Sequence, residues 1–173
     1  MITIRPANEI DAAAIATVHI VAWKETYQGI VPEDFLQNLS IERRTAQWVN
    51  SLSDPQNQYH HAFVAELNGQ VLGFANYGFS TDTEYRGELF AIYMLKSAQK
   101  RGIGRMLVSE VVTGFAGLGV DSMLVWVLKE NPARGFYENL GGVFLRETTI
   151  EIGGKALLEV AYGWRDLSRF QSG

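Results

Sequence analysis

The chain has 173 residues, 47% of them apolar, and 19 acidic residues against 15 Lys and Arg give a formal charge of -4. A chain this long buries roughly 70% of its unfolded surface and needs no staples, and with no cysteine disulfide frameworks, thiolate zinc sites and Cys-nucleophile mechanisms are excluded. The longest apolar runs, such as residues 89–95, fall far short of the roughly 18 residues a membrane span requires, the mildly acidic balance argues against nucleic acid as a partner, and Met-Ile-Thr-Ile followed by Arg5 and Pro6 offers no signal core, so the expectation is one cytoplasmic domain over residues 1–173.

Residues 2–5 alternate like an edge strand, and Asn8 offers a cap oxygen before the Ala-rich stretch 11–24. Ile15, Val18, Ala22 and, less strictly, Ile10 recur at helical spacing, with Trp23 and Tyr27 near the helix end. Gly29 ends or bends this helix, Pro32 opens a second piece through Leu36, and Ser40 starts a third that carries Trp48. Asp54-Pro55-Gln56-Asn57 reads as a turn, after which strands 62–67 and 70–79 flank the hairpin signal Asn68-Gly69. A polar loop over 80–86 leads into 88–95, a nearly continuous apolar strand suited to the middle of a sheet. From Gly102 onward Ile103, Met106, Leu107, Val111, Phe115 and Leu118 follow a helical stripe, stopped by Gly117 and Gly119. Residues 123–128 form a second buried strand, Pro132 opens a short helix ending at Gly141-Gly142, and two last strands flank Gly153-Gly154. The order predicts an α/β (α+β) fold, a mixed sheet with helices on its faces.

Between the apolar strand and the long helix lies Lys96-Ser97-Ala98-Gln99-Lys100-Arg101-Gly102-Ile103-Gly104-Arg105. A strand feeding a Gly-rich turn into a helix aims unpaired backbone N–H groups and the positive end of the helix dipole at one spot, which suits a phosphate. Glycine at 102 and 104 removes Cβ atoms that would hold a pyrophosphate off, and Lys96, Lys100, Arg101 and Arg105 add four cations. A solvated basic helix start is the plain alternative. A triphosphate P-loop is excluded, because neither glycine is followed by Lys and then Ser or Thr. A dinucleotide fingerprint lacks its third glycine, where Leu107 stands, and Val127, Leu128 and Lys129 supply no acid after the next strand, although Glu130 comes close.

Gln99-Lys100-Arg101-Gly102-Ile103-Gly104 matches a Gln/Arg-x-x-Gly-x-Gly/Ala loop at every specified position. GELFAIYM at 87–94 agrees with the strand before such a loop, and ENPARGFYENLGG at 130–142 with a later Phe-Tyr-x-x-x-Gly helix. On these residues the chain resembles the GNAT-type N-acetyltransferase superfamily. The resemblance implies a mostly antiparallel sheet of six to seven strands with helices on both faces, in the order β-α-α-β-β-β-α-β-α-β-β. It implies acetyl-coenzyme A as cosubstrate, no metal, and a pyrophosphate held by the loop from Gln99 and Lys100 through the amides of Arg101, Gly102, Ile103, Gly104 and Arg105. The pantetheine arm would insert like an extra strand beside Ile92 and Met94, with the Met94 amide polarising the thioester carbonyl and Phe136 among the cofactor contacts. Tyr137 matches the tyrosine that protonates the departing thiolate; a core aromatic beside Phe136 is its other reading. A phenol with a pKa near 10 donates to a thiolate whose acid has a pKa near 8.5 only with help from geometry and field. Asn131 stands six residues before Tyr137, one fewer than the commonest form, and either contacts the cofactor or only caps the helix that Pro132 opens. Gly142 replaces a usual aromatic and Lys96 a frequent proline.

Transfer to nitrogen requires a neutral amine, and an ammonium with a pKa near 10 is only about one part in a thousand neutral at pH 7, a shortfall of about 4 kcal/mol. Glu88, at the start of the strand that carries Met94, stands where several relatives have a glutamate acting through water, and is the candidate general base; a solvated carboxylate or a partner of Arg86 is its alternative. His60-His61 has no carboxylate at metal-ligand spacing and reads as a strand entry, while His19 is either core or acceptor lining. In this fold the segment after the first strand usually walls the acceptor pocket, so Trp23, Tyr27 and Trp48 are candidate lining residues or core aromatics. Without cysteine or a Gly-x-Ser-x-Gly elbow, direct attack in a ternary complex by a primary amine of a small molecule or peptide is expected. A non-catalytic coenzyme A sensor or scaffold is the alternative, no nucleic-acid or membrane partner is expected, and a homodimer is compatible with the resemblance.

Overall fold

A computed structural model describes residues 1–54, 57 and 60–170. β1 (Thr3–Pro6) leads through a capping box, in which Asn8 accepts from the Ile10 N–H and Asp11 from the Asn8 N–H, into α1 (Ala12–Tyr27). α2 (Glu33–Gln37) and α3 (Ile41–Leu52) follow, the latter capped by Ser40, so three helices precede β2 (His61–Leu67), as the residue spacing predicts and one more than the order implied by the resemblance. The turn expected at Asp54-Pro55-Gln56-Asn57 includes Pro55 and Gln56, which lie outside the described residues. β3 (Gln70–Phe79), β4 (Gly87–Met94), α4 (Ile103–Gly117), β5 (Met123–Leu128), α5 (Arg134–Asn139), β6 (Val143–Ile152) and β7 (Lys155–Trp164) complete the order.

The seven strands form one sheet in the order β1-β2-β3-β4-β5-β7-β6, antiparallel throughout except for β4 and β5. On one face Leu107, Val111 and Phe115 of α4 pack against Leu89, Met123 and Val125. On the other, Ile15, Val18 and Trp48 from α1 and α3 cover Val64 and Phe74, and Tyr27, Val31 and Leu36 meet Leu128 and Leu157. Two positions of the expected helical stripes are instead exposed: Ile10 precedes α1 in a short 3-10 turn, and Met106 points off the buried side of α4. Tyr85, inside the segment read as a polar loop, is only 2% exposed, with the Arg165 guanidinium over its ring. Among the described residues no helix is long and apolar enough to cross a membrane.

The helix entry is anchored electrostatically. Arg5 grips both carboxylate oxygens of Asp11 at 2.8 Å and also reaches Glu66 across the β1–β2 pair. The Arg5 bond holds the Asp11 carboxyl below the usual range against the opposing effect of burial. Arg5→Met leaves Asp11, 5% exposed, without its cation, and a loss of about 2 kcal/mol at pH 7 is expected. Because the folded-state pKa is depressed, this stability is present above the unfolded value near 3.9 and is lost as pH falls through the folded one. Urea unfolding at pH 7 and pH 3 should show the gap between wild type and variant closing at the lower pH; an equal gap at both would assign it to packing.

The β4–β5 junction prepares the site. The two strands run parallel but pair only at Gly87↔Met123 and Glu88↔Leu124. A bulge shifts the β3–β4 register opposite Asn76 and Tyr77, so Phe90 is the extra residue and β4 bends. Beyond the bulge, Ile92 and Met94 pack toward α4, while Ala91 and Tyr93 pack toward α1. The sheet is therefore two antiparallel parts joined along a short seam, with β4 and β5 diverging above it.

Candidate active site

The divergence opens a cleft of about 770 Å³ that runs from the β4–α4 loop, past Met94 and Ile92, to Phe90 and Trp126. At its loop end Lys100 (φ 59°) and Gly102 (φ 79°) adopt left-handed conformations on either side of Arg101, a pattern that turns successive N–H groups toward a common point. α4 begins at Ile103 without a side-chain cap. Among the described residues no protein acceptor is found for the N–H groups of residues 100–105; the first contact of this turn is Met106 N–H to the Gly102 carbonyl. None of Lys96, Lys100, Arg101 and Arg105 has an acidic partner among the described residues. Gly104 is a close-approach position: a Cβ there would lie 3.1 Å from the Phe136 ring and 3.2 Å from Met94 Cε. Unengaged donors, the cleft-lining cations Lys96, Lys100 and Arg105, and a floor without side chain therefore lie together at the helix start, and a pyrophosphate fits their chemistry.

Tyr137, on α5, lines the cleft and is otherwise buried, with Phe136 edge-on at 5.4 Å and Tyr162 stacked at 6.2 Å. Its hydroxyl has no protein hydrogen-bond partner among the described residues. Burial, with Tyr27 adding, raises its pKa well above the ordinary phenol value, which keeps the proton on the oxygen. Asn131 lines the same cleft, but its polar atoms serve the protein: Oδ1 accepts the Ala133 N–H at 2.8 Å, and Nδ2 donates to the Tyr27 hydroxyl at 3.0 Å. α5 starts at Arg134, so Asn131 caps the turn that leads into it. Gly142 lacks the expected aromatic because a Cβ there would fall 2.7 Å from the Trp164 ring.

Of the expected site residues, Tyr27, Ile92, Met94, Gln99, Lys100, Gly102, Ile103, Gly104, Arg105, Asn131, Phe136 and Tyr137 are brought together around the cleft. Arg101 points to solvent and is not part of the lining. Trp48 is corrected to a core residue, edge-on to Phe74 at 5.3 Å, because α3 docks on α1 and turns Trp48 into the core away from the cleft. Trp23 is a backing residue, edge-on to Tyr27 at 4.7 Å and tilted against Phe35, rather than a lining one. Burial, with Arg44 adding, pulls the His19 imidazole down to about 3, so it is neutral at pH 7; it stacks on Tyr93. Among the described residues no group of three His, Asp or Glu could hold a metal ion.

Glu88 lies outside the lining of the cleft, at the seam, where Ser80 donates to its carboxylate at 3.2 Å; it makes no ion pair with Arg86. Strand alternation puts it on the α1 side, the face that also carries Trp126 and Glu159. Burial raises its pKa above the usual carboxylate range; the Ser80 bond opposes this, and Asp82 and Glu159 add to it. Sequence reasoning missed Tyr93, Phe90 and Trp126 as lining residues. The alternation of β4 carried a signal for Tyr93, since Ile92 and Met94 face the other way; Phe90 is exposed only through the bulge.

A bulged central strand, a parallel neighbour splayed from it, and a free helix start between them define this class of mixed α/β fold. The acetyltransferase (GNAT) family model matches residues 9–142, and the chain belongs to that family. It is 36% identical over 175 residues to the uncharacterized N-acetyltransferase YuaI of Bacillus subtilis, covering 99% of this chain and 98% of that protein. It is 28% identical over 141 residues to the probable N-acetyltransferase Rv2775 of Mycobacterium tuberculosis, covering 79% and 77%. Among solved structures the fold is similar to the PaiA N-acetyltransferase of Thermoplasma acidophilum in complex with coenzyme A (TM-score 0.73, 20% identity, 92% of this chain and 98% of that one). It is likewise similar to yncA, a putative acetyltransferase from Salmonella typhimurium with acetyl-CoA (TM-score 0.72, 21% identity, 96% and 94%).

Proposed function

We propose that the chain is one N-acyltransferase domain that uses acetyl-coenzyme A to acetylate a primary amine of a small molecule or peptide by direct attack. The observation that carries this reading is the run of N–H groups at residues 100–105 that have no protein acceptor among the described residues, opening into a cleft that Tyr137 lines. Gln99 through Arg105 would hold the pyrophosphate, Ile92 and Met94 would offer main-chain partners to the pantetheine amides on the edge of β4 that β5 leaves open, and Phe136 would pack beside them. When bound, the thioester supplies an activated acetyl group. Met94 N–H is the candidate donor to its carbonyl oxygen. The amine nitrogen would bond to the carbonyl carbon as the carbon–sulfur bond breaks; Tyr137 would donate its hydroxyl hydrogen bond to the departing sulfur, the thiolate taking its proton as it leaves, and Glu88, at the seam beside the cleft, would receive the proton shed by nitrogen through water. Tyr27 walls the acceptor end. The presence of coenzyme A in related folds supports the cosubstrate.

A library of primary amines, assayed for released thiol, tests the reading. Amine-dependent release identifies the acceptor; slow release whatever amine is added would instead favour a coenzyme A sensor. The role of Glu88 is tested by pH. Since burial raises its pKa above the usual 4.5, the carboxyl stays protonated further up the scale, and kcat/KM rises with pH as the carboxylate forms. Glu88→Gln should lower kcat/KM about 10²-fold and remove that limb. An unaltered pH profile of kcat/KM in Glu88→Gln takes Glu88 out of the mechanism.

A further inference from the structure

We propose that Tyr27 and Asn131 form a strut across the open end of the β4–β5 divergence, setting the width of the pantetheine slot and so positioning Tyr137; this role rests on the acyltransferase reading above. The main-chain ladder joins β4 and β5 only at Gly87↔Met123 and Glu88↔Leu124. At the far end no backbone pair holds Tyr93 of β4 near Asn131, which follows β5. Side chains supply the link. Asn131 Nδ2 donates to the Tyr27 hydroxyl at 3.0 Å in a buried contact between residues 104 apart in sequence. The Tyr27 hydroxyl in turn lies 3.3 Å from that of Tyr93, long for two hydroxyls and the weaker half of the link. The Ala133 N–H, bound to Asn131 Oδ1, fixes which end of the amide faces Tyr27. All three residues line the cleft. Burial drives the Tyr27 and Tyr93 hydroxyls above the ordinary phenol value, so both remain neutral hydrogen-bonding groups.

The link ties α1, β4 and the β5–α5 turn at one point, and the α5 helix that carries Tyr137 starts three residues after Asn131. A displacement of about 1 Å at reacting atoms can cost about 10²-fold in rate, so a strut of one buried hydrogen bond is a sufficient lever. Tyr27→Phe removes both contacts and keeps the ring against Trp23. Asn131→Ser keeps an oxygen for the Ala133 N–H and is too short to reach Tyr27.

Titration calorimetry with acetyl-coenzyme A and with 3′-phospho-ADP, which has the nucleotide but no pantetheine, separates slot from loop. Each single variant is expected to bind acetyl-coenzyme A about tenfold more weakly, the worth of one buried hydrogen bond. Affinity for 3′-phospho-ADP should be unchanged, and the double variant should be no weaker than either single one. Thiol release at saturating cofactor should fall in all three. Equal losses for both ligands point to general damage and overturn the strut, as do multiplicative losses in the double variant or wild-type affinity in Tyr27→Phe. If Tyr27→Phe does not fold, Asn131→Ser carries the same ligand comparison. A wild-type protein that binds neither ligand overturns the acyltransferase reading and the strut with it; one that binds both, matched by Tyr27→Phe, removes the strut alone.

Discussion

Gly104→Asp is expected to abolish acetyl-coenzyme A binding. The first effect is steric: the new Cβ meets the ends of Phe136 and Met94 at 3.1 and 3.2 Å, contacts those side chains can relieve by small shifts, so the fold survives. The second is electrostatic and larger. A carboxylate about 4 Å from a diphosphate charge costs about 4 kcal/mol at an effective dielectric of 20, about a thousandfold in affinity. The aspartate would also attract the free N–H groups of the helix start, competing for the donors a phosphate needs. Calorimetry beside a circular dichroism spectrum reads both effects. Gly104→Ala, which brings the crowding without the charge, should fall between wild type and aspartate. Unaltered affinity in a folded Gly104→Asp variant would contradict the placement of phosphates at this turn.

Tyr137→Phe is expected to lower turnover about 10²-fold, the low end of what a positioned proton donor supplies, while acetyl-coenzyme A binds as in wild type. Phenylalanine keeps the ring contacts with Phe136 and Tyr162 and removes only a hydroxyl without a hydrogen-bond partner among the described residues, so none of their buried groups is stranded. The raised pKa has a direction: the protonated, donating form persists above pH 10, and any alkaline loss of rate below that belongs to another group. Stopped-flow thiol release with saturating cofactor and amine separates this from binding. Wild-type turnover in Tyr137→Phe would return the residue to packing.

The features legible in sequence are the local ones. The Gly-rich turn announces itself because its geometry needs particular residues at adjacent positions, and α4 is found by its stripe of Leu107, Val111 and Phe115. The hairpin at Asn68-Gly69 is equally local, with both residues at positive φ. What escaped depends on which distant segments become neighbours. Trp48 has the same spacing whether it faces a cleft or Phe74, and only the docking of α3 on α1 decides. Tyr85 sits among Asp, Thr and Glu, and its burial arises from the C-terminal strands laid over it. Glu88 was found, but not the neighbours that raise its pKa: Glu159 reaches that face only because β7 lies between β5 and β6. The Asn131–Tyr27 contact leaves no trace in either segment, since an asparagine at a helix entry already has a sufficient local reason.

The short β4–β5 seam also bears on how such a chain changes over generations. Backbone ladders resist gradual modification, because a slip of one position inverts every side chain. Above Glu88 and Leu124, however, the gap between the two strands is spanned by groups that single codon changes can lengthen, shorten or remove while both half-sheets keep their own pairing. The width of this gap can therefore change one substitution at a time, while the strand pairing on either side of it stays as it is.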